Sequence, residues 1–204
     1  MKRGPSSAKP NRLRIIGGVW RGRLIEAPTD AAIRPTTDRM RESLFNRLMH
    51  GAGGTDFQLG RARVVDVFAG TGAMGLEALS RGAAQTSFIE HDATALALIR
   101  RNIASLGAED RASVLGADAT NLPRAATPHD LALLDPPYGE QLAAPAMQSL
   151  VRQGWLKPGA LVAVEMQAGE TSPEVEGFHL IDRREAGRTA VALYRLQADG
   201  SGQP

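Results

Sequence analysis

The 204-residue chain contains no cysteine. That absence excludes a disulfide framework, a thiolate zinc finger and a thiol nucleophile. Hydrophobic residues reach 43% and aromatics only 4%. No stretch approaches the about 18–20 consecutive apolar residues of a membrane helix. The segment Met1 to Asn11 is polar and basic and lacks the apolar region of a secretory signal. The four histidines, His50, His91, His129 and His179, have no metal-ligand spacing, so no metal is expected. No Ser-His-Asp order stands out, since Ser80 and Ser87 fall inside predicted elements. There is no internal repeat. The expectation is a soluble, cytoplasmic, monomeric protein with one main domain, long enough to bury a real core.

Charge is present but unevenly placed. The formal net charge is +2, from 24 Lys+Arg and 22 Asp+Glu. Residues 1–50 hold 11 basic and 4 acidic side chains, and residues 51–204 hold 13 and 18. A basic head on an acidic body suggests that the head meets a polyanion. A disordered basic arm without a partner is the other reading.

Residues 1–11 are rich in Pro, Ser, Gly and Lys and are predicted to be disordered. Leu13 to Ala27 carries two short β-type runs around Gly17-Gly18, which predicts a hairpin. A helix is predicted from about Thr37, with Met40, Leu44, Phe45 and Leu48 on one side. Arg39, Arg41, Asn46 and Arg47 decorate the remainder. Glycine-rich residues 51–60 mark a soft boundary between a 12–52 extension and a 61–197 domain, with a disordered tail over 198–204.

From Arg63 the chain alternates strands and helices. Strands are expected at 64–68, 86–90, 112–117, 131–134 and 160–166, and helices at 73–81, 92–106 and 141–153. The helix over 92–106 should bury Leu96, Ile99, Ile103 and Leu106 and stop at Gly107. A last strand pair, 178–184 and 189–196, suggests an antiparallel edge. The pattern predicts an α/β fold, a Rossmann-like, mostly parallel sheet with helices on both faces.

The segment VVDVFAGTGAMG ends a strand and opens a helix, and Gly70, Gly72 and Gly75 fit G-x-G-x-x-G. Glu90 closes the next strand, 18 residues after Gly72. This is the pattern of a ribose- and nucleotide-binding turn. Two details point away from NAD. Asp66 lies inside a strand that should be apolar throughout. Acidic residues recur at three successive strand ends, with Asp118 the third. That set suits a cationic, phosphate-free ligand such as S-adenosylmethionine and suits a pyrophosphate poorly. Asp92 and Asp118 are each also placed to cap a helix.

The apolar run Leu131 to Leu134 leads into Asp135-Pro136-Pro137-Tyr138. Two prolines stop the strand. They leave the Asp135 carboxylate and the Pro136 carbonyl as acceptors at the edge where α/β sheets bind ligands. These two acceptors suit the N–H bonds of an exocyclic amine, and Tyr138 offers a face for a base.

Together, D-x-F-x-G-x-G and D-P-P-Y resemble the amino-methyltransferases of the class I S-adenosylmethionine-dependent fold. RIIGGVWRGRLIEAP, RPTTDRMRESLFNRL and VVDVFAGTGAMGLEALSRGA sharpen this to a resemblance to the RsmD family, over about Arg12 to Leu196. The family implies a seven-stranded sheet with an antiparallel last strand and an N-terminal hairpin and helix that help hold RNA. It implies methylation of the N2 amine of one guanine in 16S ribosomal RNA, at position 966 in the usual RNA numbering. An assembling small subunit is the expected partner.

On that resemblance, Asp135, Pro136, Pro137 and Tyr138 form the catalytic set. The cofactor set is Asp66, Phe68, Ala69, Gly70, Gly72, Glu90, His91, Asp118, Ala119 and Asp135. Asp66 would lie near the ammonium, Glu90 would hold the ribose and Asp118 the adenine amine. Arg12, Arg14, Trp20, Arg21, Arg23, Arg34, Arg39 and Arg41 are the candidate RNA contacts. Rival readings are N6-adenine or glutamine-amide methylation, an NAD-dependent oxidoreductase, and a non-catalytic RNA-binding module.

Overall fold

A computed structural model describes residues 11–28, 38–51 and 57–198. The arm before Asn11, the loop carrying Arg34 and the tail from 199 lie outside these residues. The chain opens with strands β1 (Asn11–Arg14) and β2 (Leu24–Ala27) and helix α1 (Asp38–Met49). There follow β3 (Arg63–Val67), α2 (Ala73–Ser80), β4 (Gln85–Glu90), α3 (Ala93–Leu106), β5 (Ala112–Gly116) and β6 (His129–Leu134). Helix α4 (Ala143–Arg152) and strands β7 (Leu156–Gln167), β8 (Phe178–Ala186) and β9 (Thr189–Leu196) complete the order. Among the described residues, no helix is long and apolar enough to cross a membrane.

Strands β3 to β9 form one seven-stranded sheet in the order β5-β4-β3-β6-β7-β9-β8. β9 runs antiparallel to both of its neighbours, and the remaining ladders are parallel. This is the architecture the resemblance implies, and the last strand pair forms the expected antiparallel edge. The last strand is inserted between β7 and β8, and β8 is the edge strand. The reason is apolarity: Ala190 to Tyr194 are all buried, whereas β8 is largely exposed. A strand buried on both faces belongs inside a sheet.

Alternation along the strands builds the two faces. Val65, Val67, Ala132, Leu134, Val162 and Val164 pack with Ala146, Met147 and Leu150 of α4. Val64, Leu131, Leu133, Leu161 and Ala163 pack with α1 and with Met74 and Ala78 of α2. On α3 the buried face is Leu98, Ile99, Asn102, Ile103 and Leu106. Leu96 lies at the margin of that face rather than within it. Asp92 is the N-cap, accepting from Ala95 N–H at 2.7 Å. Asp118 caps no helix, because residues 117–128 form none; its carboxylate instead holds a turn through Thr120.

The N-terminal hairpin is present, but residues 15–23 form its connection rather than a two-residue turn at Gly17-Gly18. Gly18 is needed for close approach. A Cβ there would sit 1.8 Å from the Ser80 carbonyl oxygen. The connection is clamped to α2 by Glu77, which is fully buried and accepts from Ile16 N–H, Gly17 N–H (both 2.8 Å) and Arg81 Nε (2.6 Å). Val19 N–H donates to the Ser80 carbonyl and Trp20 N–H to Ser80 Oγ. Ile15 and Ile25 share a core cluster with Leu76, Leu79 and Phe88, and α1 shares one with the sheet. The extension therefore has no core of its own.

Candidate active site

The glycine loop links β3 to α2 at the C-terminal edge of the sheet. Phe68 (φ 60°), Gly70 (φ 54°) and Gly72 (φ 78°) all adopt left-handed backbone. A non-glycine residue held in this region marks a functional turn. Gly75 serves packing instead. A Cβ there would sit 2.4 Å from Phe88 Cε1 and 2.8 Å from Thr86 Cγ2. The third glycine lets helix and strand touch.

Gly72 has no side chain with which to cap α2. Asp66 supplies the acceptor from the strand below, taking Gly75 N–H at 2.8 Å. Burial pushes the Asp66 carboxyl up to about 8, and the charge of Glu90 adds to the rise. Glu90 is itself buried at the end of β4. Its oxygens accept from the N–H groups of Gly70, His91 and Asp92 at 2.7–2.9 Å. The same carboxylate thus fixes the glycine loop and the start of α3.

These groups border a cleft of about 320 Å³. Of the expected cofactor residues, Phe68, Glu90, His91, Asp118 and Ala119 line it, together with Pro137. Ile89, Ala117, Thr120, Leu142 and Glu140 also line it, and among the described residues its walls hold three carboxylates and no Lys or Arg. Hydrogen bonds from Thr120 N–H and Oγ1, each 2.8 Å, hold Asp118 below the usual carboxylate range. An acidic, cation-free lining fits a cationic ligand without phosphate. Asp66, Ala69, Gly70, Gly72 and Asp135 are not in the lining; Gly70 is tied to it through its N–H bond to Glu90.

A second cleft, of about 530 Å³, lies on the other side of the D-P-P-Y loop. Pro136, Tyr138, Glu165 and residues 170–174 border it, and Pro137 and Leu142 line both clefts. Tyr138 Oη donates to Glu165 Oε1 at 3.2 Å, which leaves the phenol 39% exposed. Burial, chiefly, pushes the Tyr138 hydroxyl up to about 12. Glu165, only 4% exposed, is a site residue that the motifs do not reveal. The available signal is a lone carboxylate in the apolar run LVAVEM.

Among the described residues, the candidate RNA contacts differ in exposure and partners. Arg41 is 1% exposed, bonded to the Arg14 carbonyl and to Asp38, so it contacts no phosphate. Its position with Leu44, Phe45 and Leu48 puts it on the buried stripe of α1. Arg12, Arg14 and Arg39 are exposed, with Arg14 paired to Asp38 at 2.9 Å. Trp20, Arg21 and Arg23 lie by the C-terminal end of α2, about 12 Å of helix away from the glycine loop. The Trp20 ring sits under the Arg111 guanidinium at 5.3 Å, and Arg23 donates to the Ser105 carbonyl.

The raised Asp66 gives a pH prediction. Between about pH 4 and pH 8 the folded, ligand-free protein holds a proton that the unfolded chain has released. Stability therefore falls as pH rises through that window. Asp66→Asn keeps an acceptor for Gly75 N–H and removes the titration. Wild-type Tm should fall several degrees relative to the variant between about pH 5 and pH 8. Parallel Tm profiles would refute the assignment.

Residues 13–195 match a family model described as conserved hypothetical protein 95. The ribosomal RNA small subunit methyltransferase D of Escherichia coli K12 is 38% identical over 198 residues, covering 96% of each chain. The protein of the same name from Haemophilus influenzae is 32% identical over 199 residues, covering 96% of this chain and all of that one. The solved structure of yhhF from Escherichia coli superposes with a TM-score of 0.78 at 38% identity. It covers 93% of this chain and 100% of that one.

Proposed function

We infer the activity from one premise: the chain belongs to the conserved hypothetical protein 95 family, the RsmD family of ribosomal RNA small subunit methyltransferases. It is a small-subunit ribosomal RNA methyltransferase. The finer reading is methyl transfer from S-adenosylmethionine to the N2 amine of one guanine in 16S ribosomal RNA. The observation that carries it is the pair of clefts sharing Pro137 and Leu142, with D-P-P-Y between them.

S-adenosylmethionine supplies, when bound, a methyl group on a sulfonium. Glu90 would hold its ribose, Asp118 its adenine amine, and the Gly70–Gly72 backbone would take its amino-acid end. Asp66 stands beneath that end and would neutralise an ammonium once ionised. Ile89, Ala119, Pro137 and Leu142 exclude water from the base.

On the other side, the guanine N2 lone pair is delocalised into the ring, so orientation matters more than a strong base. The Asp135 carboxylate and the Pro136 carbonyl accept the two N2 hydrogens and turn the lone pair toward the shared wall. The Asp135 carboxylate is also placed to take the proton that N2 sheds. Tyr138, pinned by its hydroxyl, offers a ring face to a flipped base. Exposed Arg12, Arg14 and Arg39 suit contacts to RNA phosphates. The adenine-N6 and glutamine-amide readings share this machinery.

Methyl-label transfer to ribosomal RNA, naked and in assembling small subunits, followed by mapping of the modified nucleotide, tests the reading. Label on one guanine N2 is expected. Label on adenine N6, on protein or on no RNA would overturn it.

A further inference from the structure

We propose that Thr189 is a positioning residue for methyl transfer: its hydroxyl, together with Glu165, pins the Tyr138 ring that receives the target base. The proposal rests on the reading above in which that ring stacks on the base. Tyr138 follows the two prolines that end β6, and Gly139 (φ 80°) and Gln141 (φ 52°) then turn the chain sharply away. The ring borders the substrate-side cleft and is partly exposed, so its far end is where it can be held. β7 and β9 pair antiparallel, with Glu165 opposite Val191 and Gln167 opposite Thr189. Alternation puts Glu165 and Thr189 on the face that carries Ala163 and Val191 and packs with α1. They are diagonal neighbours on that face, about 7–8 Å apart along the backbone. One phenol oxygen fits between two such side chains.

Tyr138 Oη donates to Glu165 Oε1 at 3.2 Å and also bonds the Thr189 side chain. Besides burial, which chiefly holds the hydroxyl up, the two bonds act in opposite directions. The one to Glu165 opposes ionisation and the one with Thr189 favours it. A bond that favours the ionised phenol is donated to its oxygen. The chain therefore runs from the Thr189 O–H to the phenol oxygen, and from the phenol O–H to Glu165. Each partner uses a different capacity of one hydroxyl. Thr189 is half-buried and is in the lining of neither cleft, so it acts through Tyr138. The insertion of β9 beside β7 is what brings it within reach. A ring that turns freely must be ordered when the base arrives, and a pinned ring is ordered in advance. A tilted base would also carry its amine out of line with the methyl group.

The test is a double-mutant cycle read as kcat/KM for methyl transfer to the RNA that the wild type labels. Thr189→Val keeps the branched shape and removes the hydroxyl, and Tyr138→Phe keeps the ring and removes the phenol oxygen. Thr189→Val should lose about threefold to tenfold in kcat/KM, with cofactor affinity unchanged. Thr189→Ser retains the donor and should stay close to the wild type. In the Tyr138→Phe background, Thr189→Val should cost nothing further, because no phenol oxygen is left to accept its bond. A residue that merely supports the start of β9 would cost the same in both backgrounds. Equal losses in both, or a wild-type rate for Thr189→Val or for Tyr138→Phe, would overturn the proposal. Should Thr189→Val not fold, Thr189→Ala against Thr189→Ser in the same two backgrounds decides. If the wild type labels no RNA base, the reading beneath the proposal has failed and the proposal falls with it. If it labels guanine N2 and the losses add, the role of Thr189 alone is wrong.

Discussion

Asp135→Ala should bind S-adenosylmethionine about as well as the wild type and lose methyl transfer by about 10²–10³-fold. The expectation follows from where Asp135 sits. Its backbone N–H still reaches the Val67 carbonyl at 3.4 Å, so the residue closes the sheet beside the glycine loop. Its side chain acts on Tyr138, whose ring borders the substrate-side cleft. Asp135 is not in the lining of the cleft bordered by Glu90 and Asp118, nor in that of the substrate-side cleft, which its neighbours Pro136 to Tyr138 border. Removing the carboxylate leaves the two prolines to hold the loop, so what is lost is orientation of the amine. Isothermal titration of the cofactor together with single-turnover label transfer separates the two effects. Turnover on RNA near the wild-type rate would refute the role, and a large loss of cofactor affinity would assign Asp135 to the cofactor instead.

The second large effect concerns stability. Glu77→Ala is expected to cost about 3–5 kcal/mol, the range for removing one partner of a buried ion pair. For a chain of this length that corresponds to a Tm lower by roughly 10 °C or more. Glu77 and Arg81 side chains are 0% and 8% exposed. Truncation strands the guanidinium and the N–H groups of Ile16 and Gly17 together. Glu77→Gln keeps the shape and an acceptor, so it should fall between the two. Urea unfolding of the three proteins checks the order, and a cost below about 1 kcal/mol for the alanine variant would show that the clamp holds nothing.

Much of this is legible in local pattern. Alternating strands and helices predict the sheet, and the strand-end positions of Glu90, Asp118 and Pro137 bring them to one edge. The insertion of β9 is not legible as spacing, because a hairpin pattern does not say which of its strands turns inward. The composition of the two strands does carry it. The carboxylates Glu77 and Glu165 escape motif reading for a common reason. Each is a lone charge in an apolar run with a partner far along the chain, 61 residues away at Ile16 for Glu77 besides its local Arg81, and 27 residues away at Tyr138 for Glu165. Charge alone misplaces Arg41, although 41, 44, 45 and 48 share one helical stripe. Net charge likewise overstates a single basic face, since Arg41 is buried and Arg14 is paired with Asp38.

The long reach of the hairpin's anchors also governs the order of events during synthesis. Apart from Asp38 and Arg41, which bond Arg14 from α1, the strands made first have no partner among the described residues except each other until Glu77 emerges some 60 residues later. Asn102, which bonds Glu26 N–H and carbonyl at 2.8 and 3.0 Å, comes later still, 76 residues on. A two-stranded ribbon alone is marginal in water. The amino-terminal segment is thus the first to be made and among the last to be secured. The Asn102 amide that secures it also donates to the Thr71 carbonyl at 2.9 Å. One amide thus ties the completed hairpin to the glycine loop, so the two are secured by the same late-made residue.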